Sequence, residues 1–370
     1  MKKEWYGKIK LFFSDRKIKI SVSLLAISGI LLLSAQNIPG FGQLYYKYVY
    51  KILLNTVARI FSMFPFSIYE FILIGFSGYF IYGILKYLIW IFKKKITVKK
   101  TLIEGIRNLL FYLSLFIFLN MIGQSVNSFR PSFISLAEIE VSDVNEEELA
   151  EVCRTIRDRL NMMNDKIDKN DDGLLILDKN AGRKGIENMN VLSDKYPCLK
   201  GFYPNPKPYV FSQIMSYQLL QGETTFTIEA NYNNDMVESN IPSTICHELS
   251  HIQGFNNENE ANYISFLACI DSQYIEYQYS GYLMAYVYCM NDLYELNQEA
   301  FDEINGGLSP DVKNEIKMDT LFWRRYRGGI SKLYNKVYDV LLKAGGQEDG
   351  IKSYNGVVKL IVSSYKEEWQ

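Results

Sequence analysis

Three long apolar runs occupy the first third of the chain. They cover residues 20–36, 66–85 and 109–123, and Glu70 is the single charged residue within them. Each approaches the roughly 20 residues that a helix needs to cross the hydrocarbon core of a bilayer. We therefore expect a membrane domain over residues 1–125 with about three transmembrane helices, of which the third comes from the shortest run.

The stretch between the first two runs has a different pattern. Residues 45–64 are rich in aromatic side chains, but Lys47, Lys51 and Arg59 recur through them. Spaced cations among aromatic residues favour a helix that lies in the membrane interface over a further span. We expect an interfacial segment here.

From residue 126 onward the pattern is that of a soluble domain, which we extend to residue 370. Residues 144–164 place apolar side chains at helical spacing after an acidic first turn, and residues 224–232, "TTFTIEANY", alternate as a strand does. Residues 243–366 read mostly as helix, with breaks at 305–310 and 345–350. The pattern predicts an α+β, mainly helical fold with a small sheet.

Charge is distributed unevenly between the two parts. Residues 1–130 hold 18 Lys and Arg against 4 Asp and Glu, and the remaining 240 residues hold 22 against 37. Basic residues cluster before the first run and between the second and third, so the positive-inside rule makes the N-terminus cytoplasmic. The second part would then face the outer side of a cell membrane that the chain crosses several times. No basic stripe lies outside the apolar segments, and nucleic acid is therefore not expected as a partner.

The chain has two histidines, and they stand four residues apart in "ICHELSHIQGF". On a helix His247 and His251 project from one face, one turn apart, which suits two imidazole ligands of a single Zn²⁺. Glu248 lies beside them, close enough to act as general base on a metal-activated water without being a ligand itself. This H-E-x-x-H pattern is typical of zinc-dependent hydrolysis of peptide bonds.

A catalytic zinc also needs a third protein ligand, and no third histidine exists. The sequence "ENEAN" follows Gly254, which allows the chain to turn back. We expect Glu258 to be the third ligand, with Glu260 as the alternative, and we expect Asn262 to orient a histidine or the glutamate from one turn further on. Two histidines and a carboxylate without cysteine suit zinc.

These stretches resemble a known family. The segments "CHELSHIQGFNNENEANYISFLAC", "MFPFSIYEF", "YSGYL" and "LLKAGGQEDGIKSYNGVV" are similar to the DUF3810 family of bacterial membrane proteins. The motif with its downstream glutamate helix also resembles the gluzincin metallopeptidases. The resemblance implies N-terminal spans followed by a zincin-like domain, with an active site at His247, Glu248, His251 and Glu258, and it implies no substrate. In the related metzincin pattern a third histidine would stand at position 257, where this chain has Asn257.

A hydrolase also needs a hydrogen-bond donor for the oxyanion, and with no spare histidine a tyrosine or an arginine must serve. Tyr279, in "YQYSGYLMAY", and Arg325, in "WRRYRGG", are our candidates. The expected function is a membrane-anchored zinc metallopeptidase that acts on peptide or protein substrates. The alternative is a non-catalytic membrane sensor that binds zinc or peptide at the same residues. The polar flanks of the motif exclude an intramembrane protease.

Overall fold

The computed structural model describes residues 15–93, 97–344 and 356–369. It is mainly helical, with a small three-stranded sheet, as the sequence pattern predicts. The predicted helix break at 305–310 is confirmed, because one helix ends at Gly306 and the next begins at Pro310 with Ser309 as its cap. The predicted break at 345–350 lies outside the described residues.

Among the described residues, three helices are long and apolar enough to cross a membrane. They are α1 (Arg16–Asn37), α2 (Ile68–Phe92) and α3 (Val98–Gly123). The third is much longer than its uncharged run. Thr97 caps α3 at its N-terminus, and Arg107 within it forms an ion pair with Asp15, the cap of α1. The ion pair allows a basic residue to lie inside α3 near the start of α1. The length of the uncharged run therefore underestimates the length of the helix.

Most of residues 45–64, predicted as an interfacial segment, belongs to a continuous helical stretch over residues 41–62. Its α-helical turns are Phe41–Tyr45, Lys51–Leu53 and Arg59–Ser62, and π-helical turns at Tyr46–Tyr50 and Leu54–Ala58 lie between them. Tyr46, Tyr50, Leu54 and Ala58 are buried on one face and belong to the main hydrophobic core. The Tyr50 hydroxyl donates to the carbonyl of Ile252, 3.0 Å away. One hydrophobic core therefore includes residues on both sides of position 125, where the sequence pattern changes. The opposite face of the stretch exposes Leu44, Tyr48, Ile52 and Ile60.

The sheet has the strand order β1 (Lys207–Pro208), β3 (Ala230–Tyr232), β2 (Gly222–Thr224). β1 runs parallel and β2 antiparallel to the central β3. The single strand expected over residues 224–232 is wrong, because the chain turns between β2 and β3. In this turn the Thr227 hydroxyl donates to Glu229, 2.7 Å away, and Ile228 has a φ of 57°.

Glu229 fixes the start of α2 on the sheet. Its two carboxylate oxygens accept the backbone N–H groups of Ile68 and Tyr69 at 3.1 and 3.0 Å, and Lys207 pairs with it in the interior. In the opposite direction, Glu70 accepts two backbone N–H groups from the loop after β1, those of Val210 and Phe211. The N-terminus of an apolar helix is thereby joined to the sheet by buried, charge-assisted hydrogen bonds.

The remaining helices follow α3 along the chain. They are α4 (Glu146–Asn164), α5 (Ala181–Lys195), α6 (Gln213–Gln218), α7 (Ile241–Ile252), α8 (Glu258–Ile270), α9 (Ile275–Leu296), α10 (Gln298–Gly306), α11 (Pro310–Tyr326), α12 (Gly329–Ala344) and α13 (Gly356–Trp369). Short helical turns lie at Ser125–Phe129, Phe133–Leu136, Pro197–Leu199 and Glu238–Asn240. α7 packs against the sheet on one side and against α5, α8 and α9 on the others, so the motif lies on an enclosed helix.

Candidate metal centre

The H-E-x-x-H motif lies on α7, which starts with Pro242 in its first turn and ends before Gly254. Gly254 has a φ of 77°, and its N–H donates to the carbonyl of His251, 2.8 Å away. This left-handed residue ends the helix and reverses the chain, as the sequence suggested. Asn257 then caps α8, accepting the N–H groups of Asn259 and Glu260 at 3.0 and 3.3 Å. The reversal brings the first turn of α8 to the histidines.

Both imidazoles are held through their Nδ1 atoms. His247 Nδ1 lies 2.8 Å from Oδ1 of Asn262, and His251 Nδ1 lies 2.8 Å from the carbonyl oxygen of Phe255. An oxygen acceptor on Nδ1 fixes the tautomer in which Nε2 carries a lone pair. The two Nε2 atoms are 3.0 Å apart. Asn262 therefore lies where the spacing placed it, one turn beyond Glu258 and bonded to a histidine.

Glu258 completes a set of three convergent ligand atoms. Its Oε2 lies 3.2 Å from Nε2 of His247 and 3.9 Å from Nε2 of His251. A circle through three atoms with these separations has a radius of about 2.0 Å, which matches the ~2.0–2.2 Å of zinc–nitrogen and zinc–oxygen bonds. The three atoms are therefore spaced as ligands of one zinc ion. The other Glu258 oxygen, Oε1, accepts the Tyr338 hydroxyl at 3.0 Å.

Glu260, the alternative ligand, is directed elsewhere. Its carboxylate accepts the N–H of Ile134 at 3.5 Å and also interacts with the backbone of Phe133 and the hydroxyl of Ser132. It thus holds the start of the helical turn Phe133–Leu136. Both glutamates are buried, so neither is a solvated residue at the start of the helix.

The charges of the three candidate ligands suit a cation. Burial alone would raise the pKa of Glu258, but the hydrogen bond with His247 and the charge of His251 lower it to about 2. Burial, with the neighbouring His247, lowers the pKa of His251 to about 4. For His247 burial acts in the same direction, but Glu258 outweighs it and raises the pKa. A divalent cation would displace the proton shared between His247 and Glu258.

Glu248 lies on the sheet side of α7. One ligand atom from each of His247, Glu248 and His251 lies within 4.8 Å of the others. The Thr224 hydroxyl, on β2, donates to Glu248 Oε2 at 2.8 Å. A Cβ atom on the neighbouring Gly222 would lie 2.4 Å from Glu248 Oε1, so only glycine leaves room for this carboxylate. Burial raises the pKa of Glu248 to about 8, against the opposing effects of His247 and Thr224.

A further carboxylate, Glu223, lies between Thr224 and Gly222 on β2. It accepts the Tyr209 hydroxyl at 2.9 Å and interacts with the hydroxyl of Tyr69 from the first turn of α2. Burial raises the pKa of Glu223 to about 7, and the two tyrosine hydroxyls oppose this. The sequence analysis missed this residue, because nothing local distinguishes a glutamate in an edge strand from a solvated one.

Three tyrosines that the sequence analysis did not single out also reach the cluster. Tyr338 donates to Glu258, Tyr288 lies 3.4 Å from Nδ2 of Asn262, and Tyr334 interacts with both Glu223 and Glu258. Burial raises the pKa of Tyr288 to about 12 and that of Tyr334 further, so both hydroxyls keep their protons. Tyr334 and Tyr338 are one turn apart on α12, which is the only signal that the sequence carried for them.

The two oxyanion candidates named from the sequence are not brought to the histidines. The Tyr279 hydroxyl is buried and donates to Glu315 Oε2 at 3.1 Å, where Glu315 also accepts the N–H of Leu175. Arg325 is exposed in the last turn of α11. Tyr279 lies on α9 nine residues before Tyr288, which places it about 13 Å away along the helix and on the opposite face.

Comparison with known proteins places the chain in one family. The model of the DUF3810 family, described as proteins of unknown function, matches residues 45–362, and the chain belongs to this family. The match begins in the helical stretch 41–62 and thus spans α2, α3 and the metal centre, whereas α1 lies before it. No curated protein and no solved structure matches the chain.

Proposed function

We propose that this protein is a membrane-anchored zinc metallopeptidase that hydrolyses peptide bonds. One observation carries the proposal: His247, His251 and Glu258 direct three ligand atoms at one point, with Glu248 beside it. Zinc held there would polarise the substrate carbonyl and supply an activated water. A site for binding zinc alone would gain nothing from a buried carboxylate next to the three ligands.

Glu248 is the proposed general base. Its carboxylate lies beside the imidazole ligands, where it can accept a proton from water and return it to the leaving nitrogen. The Thr224 hydroxyl fixes one carboxylate oxygen, and the close approach of Gly222 fixes the other. Glu248 is thus held in one orientation before a substrate binds.

The position of β2 supports a peptide as substrate. β2 is an edge strand of the described sheet and carries Thr224, the partner of Glu248. An extended peptide that pairs with the outer edge of β2 would pass beside the general base. For the oxyanion we propose Tyr334 in place of Tyr279 and Arg325, because its ring stacks on that of Tyr338, whose hydroxyl reaches Glu258.

The arrangement of the apolar helices supports the proposed topology. α1 ends at Asn37, α2 begins at Ile68 and α3 ends at Gly123. These are the ends that join the part of the protein that holds the metal centre. The opposite ends carry the basic residues, among them Lys17, Lys93 and Lys100. By the positive-inside rule the basic ends are cytoplasmic, and the metal centre is on the outer side of the cell membrane.

The test compares the full-length wild type with Glu248→Gln, His247→Ala and, as a control, the exposed Glu299→Gln, all purified in detergent. Each sample is incubated with a mixture of unstructured peptides, and cleavage products are read by mass spectrometry beside the zinc content. We expect Glu248→Gln to keep zinc and lose ~10²–10⁴-fold in turnover, and His247→Ala to lose both. Zinc in the wild type without any cleavage would contradict the peptidase and favour the sensor.

A further inference from the structure

α12 has two faces with opposite surroundings. Tyr334 and Tyr338 stack on each other on one face, with ring centroids 5.8 Å apart, and the Tyr338 hydroxyl donates to Glu258 of the metal centre. The other face carries Ile330, Leu333, Val337 and Val340, which are 61%, 66%, 51% and 62% exposed. Their spacing of three, four and three residues aligns them along one side of the helix.

The exposed apolar face continues onto the neighbouring α6 and the loop before it. α6 packs against α12, and Val210, Phe211, Ile214 and Tyr217 are large apolar side chains that are about half exposed. We call these eight residues of α12 and of segment 210–217 the apolar platform. Other exposed apolar residues after residue 125, such as Leu296 and Val191, lie on separate helices. A patch of this size on a soluble surface marks a contact with something apolar.

The platform lies next to the N-terminal end of α2, the second of the apolar helices. The backbone N–H groups of Val210 and Phe211 donate to Glu70 at 2.9 and 2.7 Å, and Glu70 is in the first turn of that helix. Residues just before α2, among them Met63 and Phe64, are exposed and apolar as well. The surface is therefore continuous with an apolar helix long enough to cross a bilayer.

Charge on α12 agrees with a lipid surface. Lys332 and Lys336 are exposed and lie beside the apolar face, on the side away from the two tyrosines. Lysines at the edge of an apolar helical face extend their alkyl chains along it and place their ammonium groups among lipid phosphates. A protein partner would not require this placement of cations beside the membrane helix.

We propose that the apolar platform lies in the bilayer interface, with α12 parallel to the membrane plane and its tyrosines over the metal centre. The inference rests on the membrane anchoring in the proposed function, and the centre would then open close to the lipid surface. Lipid contact would hold Tyr338 on Glu258 and Tyr334 stacked on Tyr338.

The test measures lipid contact directly, in the full-length protein in nanodiscs of mixed zwitterionic and anionic phospholipid. A nitroxide label is attached to single cysteines that replace Leu333, in the platform, Leu296, on α9, or Phe80, in the middle of α2. Collisions with oxygen, which concentrates in lipid, are compared with collisions with a water-soluble nickel chelate. Labelled wild type supplies the background from the native cysteines.

We expect the Leu333 label to collide preferentially with oxygen, as the Phe80 label does, and the Leu296 label to collide preferentially with nickel. A Leu333 label that behaves like the one at Leu296, or that is shielded from both reagents by a protein partner, would overturn the proposal. Because Phe80 reports insertion of α2 independently, failure of the anchoring is distinguished from failure of the platform. Peptide turnover does not enter the measurement, so failure of the proposed activity would not affect it.

Discussion

The hydrogen bond between Asn262 and His247 gives a prediction whose magnitude follows from the structure. Oδ1 of Asn262 lies 2.8 Å from Nδ1 of the imidazole, and Asn262 is buried. In Asn262→Ala this N–H loses its acceptor in a site with little water, which costs about 1–3 kcal/mol. Every 1.4 kcal/mol is tenfold in affinity, so zinc binding should weaken by roughly 5- to 150-fold.

This range agrees with the ~10–100-fold effect that removal of such outer partners has on metal affinity. Asn262→Asp should keep near wild-type affinity, because a carboxylate oxygen can accept the same hydrogen bond. The exposed Asn190→Ala, on α5, is the matched control. The assay is competition for zinc with a chelator of known affinity, using the full chain in detergent. An Asn262→Ala variant within twofold of the wild type would refute the view that this bond holds His247 ready for metal.

Further substitutions separate the roles of the surrounding residues. Tyr334→Phe should lower kcat by ~10²–10³-fold at unchanged zinc content and KM, whereas Tyr279→Phe should leave kcat unchanged; equal effects would remove Tyr334 as the oxyanion donor. Gly222→Ala should cost roughly 10²-fold in turnover, since its Cβ displaces the general base, and Gly306→Ala, whose Cβ meets open space, should match the wild type in the same peptide assay. Glu260→Ala should keep its zinc but lose about 1–3 kcal/mol of stability, seen as a lower Tm; loss of zinc would make it a ligand.

The sequence predicted the parts of the site that follow from helical periodicity. The spacing of His247 and His251 and the reversal at Gly254 lead directly to the first turn of α8. Which glutamate of that turn is the ligand depends on rotation about the helix. Glu258 faces the histidines, and Glu260, two residues on, faces the turn Phe133–Leu136. Candidates could be named from the chain, but only the packing of α8 separated them.

The contributions of distant segments could not be predicted in the same way. Thr224 and Glu223 lie on β2, more than 20 residues upstream of Glu248, and they reach the cluster because β2 packs against α7. Tyr338 lies on α12, 80 residues downstream of Glu258, and reaches it through its hydroxyl. Tyrosines are abundant in this chain, so a tyrosine near the site carries no distinctive signal; Tyr279 was chosen from its local sequence and lies against Glu315 instead. The turn that divides 224–232 into two strands depends on Glu229, whose carboxylate is needed at the start of α2.

The central claim is that His247, His251 and Glu258 bind one zinc ion. The most direct measurement is the zinc content of the full-length protein, since residues 41–62 contribute to the core around α7, compared with His247→Ala prepared in the same way. We expect about one zinc per wild-type chain and a loss of the metal in the variant, with equal Tm or helical content as evidence of folding. A folded wild type that takes up no zinc from a buffered supply, or a variant that retains the wild-type amount, would contradict it.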